Sequence, residues 1–194
     1  MNFDLIEQIA SECFMPVAYG GAIESLSVAE RVIACGIEKV VLNSSALTKP
    51  NLISLIAESL GSQAVVVAAD CKRHQKDYYV FDHRSAKAFK PRIKVTSWLK
   101  MAEDLGAGEL LVTSVTHEGT WRGADFELLE LICHKRKVPL IYQGGLGNLS
   151  QVRDLQSFEL SGVSLGNLVM FPRPGSGVLV HMPSSTSESF RGGK

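Results

Sequence analysis

The chain has 194 residues, 45% of them hydrophobic, with 20 Lys and Arg set against 20 Asp and Glu. One well-cored domain is the expectation for that length, and the balanced charge argues against nucleic acid or a membrane surface as a partner. Four scattered cysteines, Cys13, Cys35, Cys71 and Cys133, without a CxxC spacing, suggest neither a zinc site nor a disulfide framework, and a reducing cytoplasm fits best.

In chain order, residues 1–12 place Phe3, Leu5, Ile6, Ile9 and Ala10 at helical spacing with acids between them. That pattern is neither a signal peptide nor a membrane span, and it reads as a chain starting inside a helix. Residues 15–19 read as a strand, 25–35 as a helix capped by Ser25, and 39–43 as a second strand. Further on come a helix at 51–60, a strand at 63–70, a helix at 95–105, a strand at 108–114, a helix at 125–135, and strands at 138–142 and 162–165. The basic run His134-Lys135-Arg136-Lys137 reads as a solvated helix end. Runs of Val, Ile and Leu alternating with helices predict a parallel sheet covered by helices.

The chain also resembles itself. "PVAYGGAIESLSVAERV" from Pro16 matches "PLIYQGGLGNLSQVRDL" from Pro139, and "EKVVLNSSAL" matches "SGVSLGNLVM" at nearly the same offset. Two related halves follow. The second half has four strands and the first only two, and a complete eight-stranded barrel needs ~250 residues. The expectation is therefore a (β/α)8 TIM-type barrel lacking its first two βα units, with six parallel strands in residues 1–183 and a polar disordered tail at 184–194. The alternative is an open doubly wound sheet. In the incomplete barrel, Val17, Tyr19, Ile141 and Leu165 would be partly wetted on the open side.

In such barrels ligands sit at the carboxyl ends of the strands. The turns there are Gly20-Gly21-Ala22, Asn43-Ser44-Ser45, Gly144-Gly145-Leu146-Gly147 and Gly166-Asn167, two repeat-related pairs that would suit two phosphates. Asp70 ends the most hydrophobic strand and would project into the mouth as a general acid or base. His117 and Glu118 lie in a loop and could face water. Lys39 and Glu109 begin their strands, at the opposite end from Asp70.

The stretches "GGAIESLSVAERVIACGIEKVVLNSSAL", "LGSQAVVVAADCKR" and "DLGAGELLVTSVTHEGT" resemble the HisF family, the cyclase subunit of imidazole glycerol phosphate synthase, and the resemblance runs from residue 3 to about 171. "ASECFMPVAYGGAI", the ending "LVMF" and a later strand "GVLVHMP" resemble the branch associated with acetamidino modification of surface sugars. The resemblance implies a (β/α)8 barrel without a cofactor or metal. It would use ammonia from a glutamine amidotransferase (HisH-like) partner to form imidazole glycerol phosphate from a phosphorylated small molecule. It implies Asp70 as the catalytic aspartate of the family's fifth strand. Gly21, Ala22, Asn43, Ser44, Gly119, Gly145, Gly166 and Asn167 fall at phosphate positions, Glu118 at a possible substrate contact, and Lys39 and Glu109 in a charged gate for ammonia.

The chain departs from the family at several points. The family's first catalytic aspartate, on its first strand, has no match. Ala22 replaces a glycine, Thr116-His117-Glu118-Gly119-Thr120 replaces Asp-Arg-Asp-Gly-Thr, and a Thr-Gly is lost from "RSAKAFKPR". A non-catalytic partner of an amidotransferase and another phosphate-binding barrel, a sugar-phosphate isomerase or a flavin-dependent oxidoreductase, are the competing expectations.

Overall fold

A computed structural model describes residues 1–85, 93–134, 136–171, 175 and 177–180. The tail at 184–194 and most of "RSAKAFKPR" therefore lie outside the described residues.

The elements are α1 (Phe3–Glu12), β1 (Ala18–Gly20), α2 (Leu26–Ala34), β2 (Lys39–Leu42), α3 (Ser44–Thr48), α4 (Asn51–Leu60), β3 (Val65–His74) and β4 (Asp77–Val80), followed by α5 (Val95–Asp104), β5 (Glu109–Ser114), α6 (Phe126–Ile132), β6 (Leu140–Gln143), α7 (Leu149–Arg153), β7 (Gly162–Ser164) and α8 (Asn167–Met170). Six strands run parallel in the order β1-β2-β3-β5-β6-β7, and β4 pairs antiparallel with β3. This is the expected six-stranded part of a barrel. Among the described residues, β1 and β7 each pair on one side only.

Strand alternation divides the sheet into two faces. Val40, Leu42, Val65, Val67, Ala69, Cys71, Leu110, Val112, Leu140 and Tyr142 point toward the helices and are buried. They pack with Val32, Ile53, Ile56, Trp98, Leu99, Leu128, Leu129 and Ile132 from α2, α4, α5 and α6. Two of these helices, α2 and α6, are fixed at their starts by side chains that accept orphan N–H groups, Ser25 from Val28 and Asp125 from Leu128, and α1 and α7 are capped likewise by Asn2 from Leu5 and Asn148 from Gln151. Each such cap contributes about 1 kcal/mol.

Several expectations need correction. Helix α1 begins at Phe3, with Asn2 as its N-cap. β1 begins only at Ala18, because Pro16 has no N–H to give a ladder and the Val17 N–H is taken by the Glu38 carboxylate. β3 does not stop at Asp70 but runs on to His74 and turns through Gln75, at φ 55°, into the unexpected β4. Residues 177–180 carry no strand, although Leu179 N–H donates to Met170 O at 2.9 Å. Val17, Tyr19 and Leu165 pack against the helical layer rather than the open side, whereas Ile141 does face it. The basic run follows the end of α6 at Ile132 and its C-cap Cys133, with His134 and Lys137 exposed, and Lys137 also ties back to α5: its N–H donates to Glu103 at 3.0 Å and its Nζ pairs with Asp104 at 3.0 Å.

Candidate functional site

The open face of the sheet is built by register. Lys39, Val41 and Asn43 on and after β2 share it with Ala64, Val66, Ala68 and Asp70 on and before β3, with Glu109, Leu111 and Thr113 on β5, and with Ile141 and Gln143 on β6. Val66 and Ala68 are only 4% and 6% exposed even here, so the floor at β3 is closed and the polar side chains stand at its two ends.

At the amino end, the Lys39 ammonium pairs with Glu109 across the top of β3. At the carboxyl end, Asp70 lies level with Thr113, four residues or ~13 Å along the strand from the Glu109 level. Its side chain is 16% exposed and is gripped by neighbours. Asn43 Nδ2 donates to Asp70 Oδ2 at 2.8 Å, and His83 Nε2 lies 2.9 Å from the same oxygen. The Phe81 N–H donates to Asp70 O at 2.6 Å, which ties the segment after β4 to the Asp70 backbone as well. His83 stands edge-on to the Phe81 ring, at 4.7 Å between centroids.

Two repeat-related recesses flank Asp70. The first is a cleft of about 380 Å³ between the turn after β1 and the turn after β2, lined by Gly21, Ala22, Asn43, Ser44, Ser45 and Arg84. Ala22 adopts φ 54°, the left-handed region that an L-residue enters at a cost of about 1–2 kcal/mol. The second is a niche of about 10 Å³, room for little more than one water, lined by Glu118, Gly119, Trp121, Gly145, Gly166 and Asn167. Gly145 cannot be anything larger: its φ is 76°, and a Cβ there would lie 2.2 Å from Gly123 O.

The loop after β5 is folded back rather than left to water. His117 Nδ1 lies 3.1 Å from Ser114 Oγ and 3.3 Å from Asp125 Oδ2, and Ser114 Oγ donates to Asp125 Oδ2 at 2.8 Å. Asp125 is 4% exposed and also accepts from Tyr78 Oη at 2.7 Å, while its own N–H donates to Tyr142 Oη at 2.8 Å. Burial raises both phenols above their ordinary range; the hydrogen bond to Asp125 raises Tyr78 further, whereas the N–H of Asp125 acts in the opposite sense on Tyr142.

The structure thus brings Asp70 and Asn43 into contact, places Gly21, Ala22 and Ser44 around one recess and Glu118, Gly119, Gly145, Gly166 and Asn167 around the other, and sets Lys39 and Glu109 apart from all of these. Sequence reasoning missed His83, Arg84 and the Asp125 cluster. Asp125 was legible only as a helix start. His83 and Arg84 arrive from the hairpin, which carried no Gly or Pro turn signal.

Comparison with known proteins gives a consistent result. A family model described as "Histidine biosynthesis protein" matches residues 1–172. The chain is 43% identical over 151 residues to the imidazole glycerol phosphate synthase subunit HisF of Exiguobacterium sibiricum, covering 78% of this chain and 60% of that protein. It is 40% identical over 146 residues to the subunit of that name from Sulfolobus acidocaldarius, covering 75% and 58%, and 38% identical over 168 residues to that from Staphylococcus carnosus, covering 86% and 65%.

Proposed function

The chain belongs to the histidine biosynthesis protein family, and from that premise we propose that it acts as the cyclase subunit of an imidazole glycerol phosphate synthase. It takes ammonia from a glutamine amidotransferase partner and forms imidazole glycerol phosphate from a phosphorylated nucleotide substrate. The observation that carries this reading is Asp70, a half-buried carboxylate held by Asn43 and His83 between two recesses built from duplicated turns.

With Oδ2 engaged by two neighbours, Oδ1 is the oxygen left to exchange a proton with substrate. The recesses on either side would hold phosphate oxygens through backbone N–H groups and so fix the reacting centre near that carboxylate. Ammonia would enter at the other end of the strands, where the Lys39–Glu109 pair stands, and travel along the open face over Val66 and Ala68 to Asp70. The amidotransferase would dock on that amino-terminal end.

The test is turnover. The purified chain, assayed with ammonium chloride and then with glutamine plus a HisH-type glutaminase, should form imidazole glycerol phosphate. Failure under both conditions, with the chain folded, would overturn the reading.

A further inference from the structure

A further cleft belongs to the other face of the sheet from Asp70. Register pairs Asp70 with Thr113 on the open face and Cys71 with Ser114 on the helical face, so the Ser114 hydroxyl points away from the mouth. Beside it lies a cleft of about 420 Å³, walled by Arg73 and Tyr78 of the β3–β4 hairpin, Thr116 and His117 of the loop after β5, and Phe126 and Glu127 at the start of α6. Small-molecule sites usually enclose about 300–1,000 Å³.

Counting protons fixes the tautomer of His117. The Asp125 carboxylate can only accept. Its Oδ2 takes the one hydroxyl proton of Ser114 at 2.8 Å, and its Oδ1 accepts from Tyr78 Oη at 2.7 Å and from the Leu128 N–H at 3.2 Å. Ser114 Oγ, 3.1 Å from His117 Nδ1, is left with only lone pairs to offer, and Asp125 Oδ2 lies 3.3 Å from the same nitrogen. Nδ1 therefore carries a hydrogen, and in the neutral ring the lone pair is on Nε2. No described residue bonds to Nε2, and the side chain is 32% exposed. A buried acid thus orients an imidazole that presents a fixed acceptor.

The other walls narrow the ligand. Phe126 is 44% exposed, and its ring is braced by Phe158 at 5.9 Å between centroids, which leaves a flat apolar surface. Arg73 is committed within the protein: Nη1 donates to Glu127 Oε1 at 2.8 Å and Nε to Gln75 O at 3.2 Å. With that one cation set against Asp125 and Glu127, the cleft is net acidic and disfavours an anion. A flat ring bearing N–H donors matches all three surfaces, stacking on Phe126 and donating to His117 Nε2 and to Glu127 Oε2.

We propose that this cleft is a second binding site, separate from the mouth at Asp70, for a small aromatic or heteroaromatic amine. His117 and Glu127 take its N–H groups, and Phe126 takes its ring. The site has no part in phosphate binding and does not depend on the cyclase reading.

The experiment is NMR on the whole chain at about pH 8, where an ordinary imidazole is neutral, with benzylamine as the probe. The ring nitrogens of His117 should show hydrogen on Nδ1 and a bare Nε2, and benzylamine should shift Nε2 together with the amides of Thr116, Phe126 and Glu127. Benzoate, which has the ring and the opposite charge, and methylamine, which has the charge and no ring, should each need at least about tenfold more. Phe126→Ala and His117→Ala should each weaken benzylamine by about tenfold. An unchanged unfolding temperature and unchanged amide signals at Gly21 and Ala22, on the far side of the sheet, show that a variant is folded. Hydrogen on Nε2 instead of Nδ1, benzoate binding as well as benzylamine, no effect of either substitution in a folded chain, or no response to benzylamine up to about 10 mM would each overturn the proposal.

Discussion

His83 Nε2 lies 2.9 Å from Asp70 Oδ2, and the imidazole comes from the segment that follows β4, not from a neighbouring strand of the sheet. That contact leaves Asp70 with one oxygen engaged from each side, by Asn43 and by His83. His83→Ala should therefore lower kcat by about tenfold, the worth of one charge-assisted hydrogen bond, with little change in KM. His83→Gln, which retains an N–H at similar reach, should recover most of the loss. Equal effects on kcat and KM, or no rescue by Gln, would mean that His83 does not orient the carboxylate.

A second prediction follows from the turns. Ala22 at φ 54° is strained where its repeat-related counterpart is glycine. Ala22→Gly should raise stability by up to about 1 kcal/mol, the steric relief being partly offset by the greater freedom of glycine in the unfolded chain. Gly145→Ala should cost on the order of 3 kcal/mol, since its Cβ would collide with Gly123 O at 2.2 Å as well as entering the left-handed region. Denaturant unfolding of the two variants measures both.

Alkaline pH should weaken the fold. Burial pushes the Cys133 thiol from an ordinary 9.0 up to about 11, and burial likewise raises Cys71, Tyr78 and Tyr142. Each group holds its proton more tightly folded than unfolded, so the stability it contributes is present below its unfolded pKa and is lost as the pH climbs above it. Stability should fall from about pH 9 upward, with the Cys133 contribution exhausted near pH 11. A melting temperature that is flat from pH 8 to 11 would contradict this. In the same range, thiol reagents should label exposed Cys13 and spare buried Cys71 and Cys133 until the chain unfolds.

The sheet edges carry a fourth prediction. β1 and β7 each present an unpaired side among the described residues, and Phe14 and Met15 beside β1 are 101% and 72% exposed. Edges of that kind recruit partners. The 194-residue chain should self-associate in sedimentation experiments, and adding charge beside the edge, as in Met15→Lys, should shift it toward monomer. A monomer at all concentrations would show that the edges are covered in another way.

Most of the fold was legible because it rests on long periodic segments. The apolar spacing of Leu52, Ile53 and Ile56 marks α4, and the unbroken run at Val65–Ala69 marks the central strand. What escaped was local and long-range at once. β4 is only Asp77–Val80, its turn passes through Gln75 rather than a glycine, and its worth comes from Tyr78 reaching Asp125 across 47 residues of sequence. Without β4, nothing in the sequence places His83 beside Asp70 or Arg84 beside Ser44. The candidate site was therefore legible in its backbone turns and its central acid, which recur by repeat or end a hydrophobic run. It was not legible in the two side chains that a hairpin carries over the sheet.

The most direct measurement of the central claim is ammonia-dependent formation of imidazole glycerol phosphate by the Asp70→Asn variant. The amide keeps the shape and can still bond to Asn43 and His83, so the unfolding temperature should stay within a few degrees of the wild type. Turnover should fall by at least about a hundredfold, the usual contribution of a positioned acid or base. Turnover retained at the wild-type level by a folded Asp70→Asn chain would contradict the account.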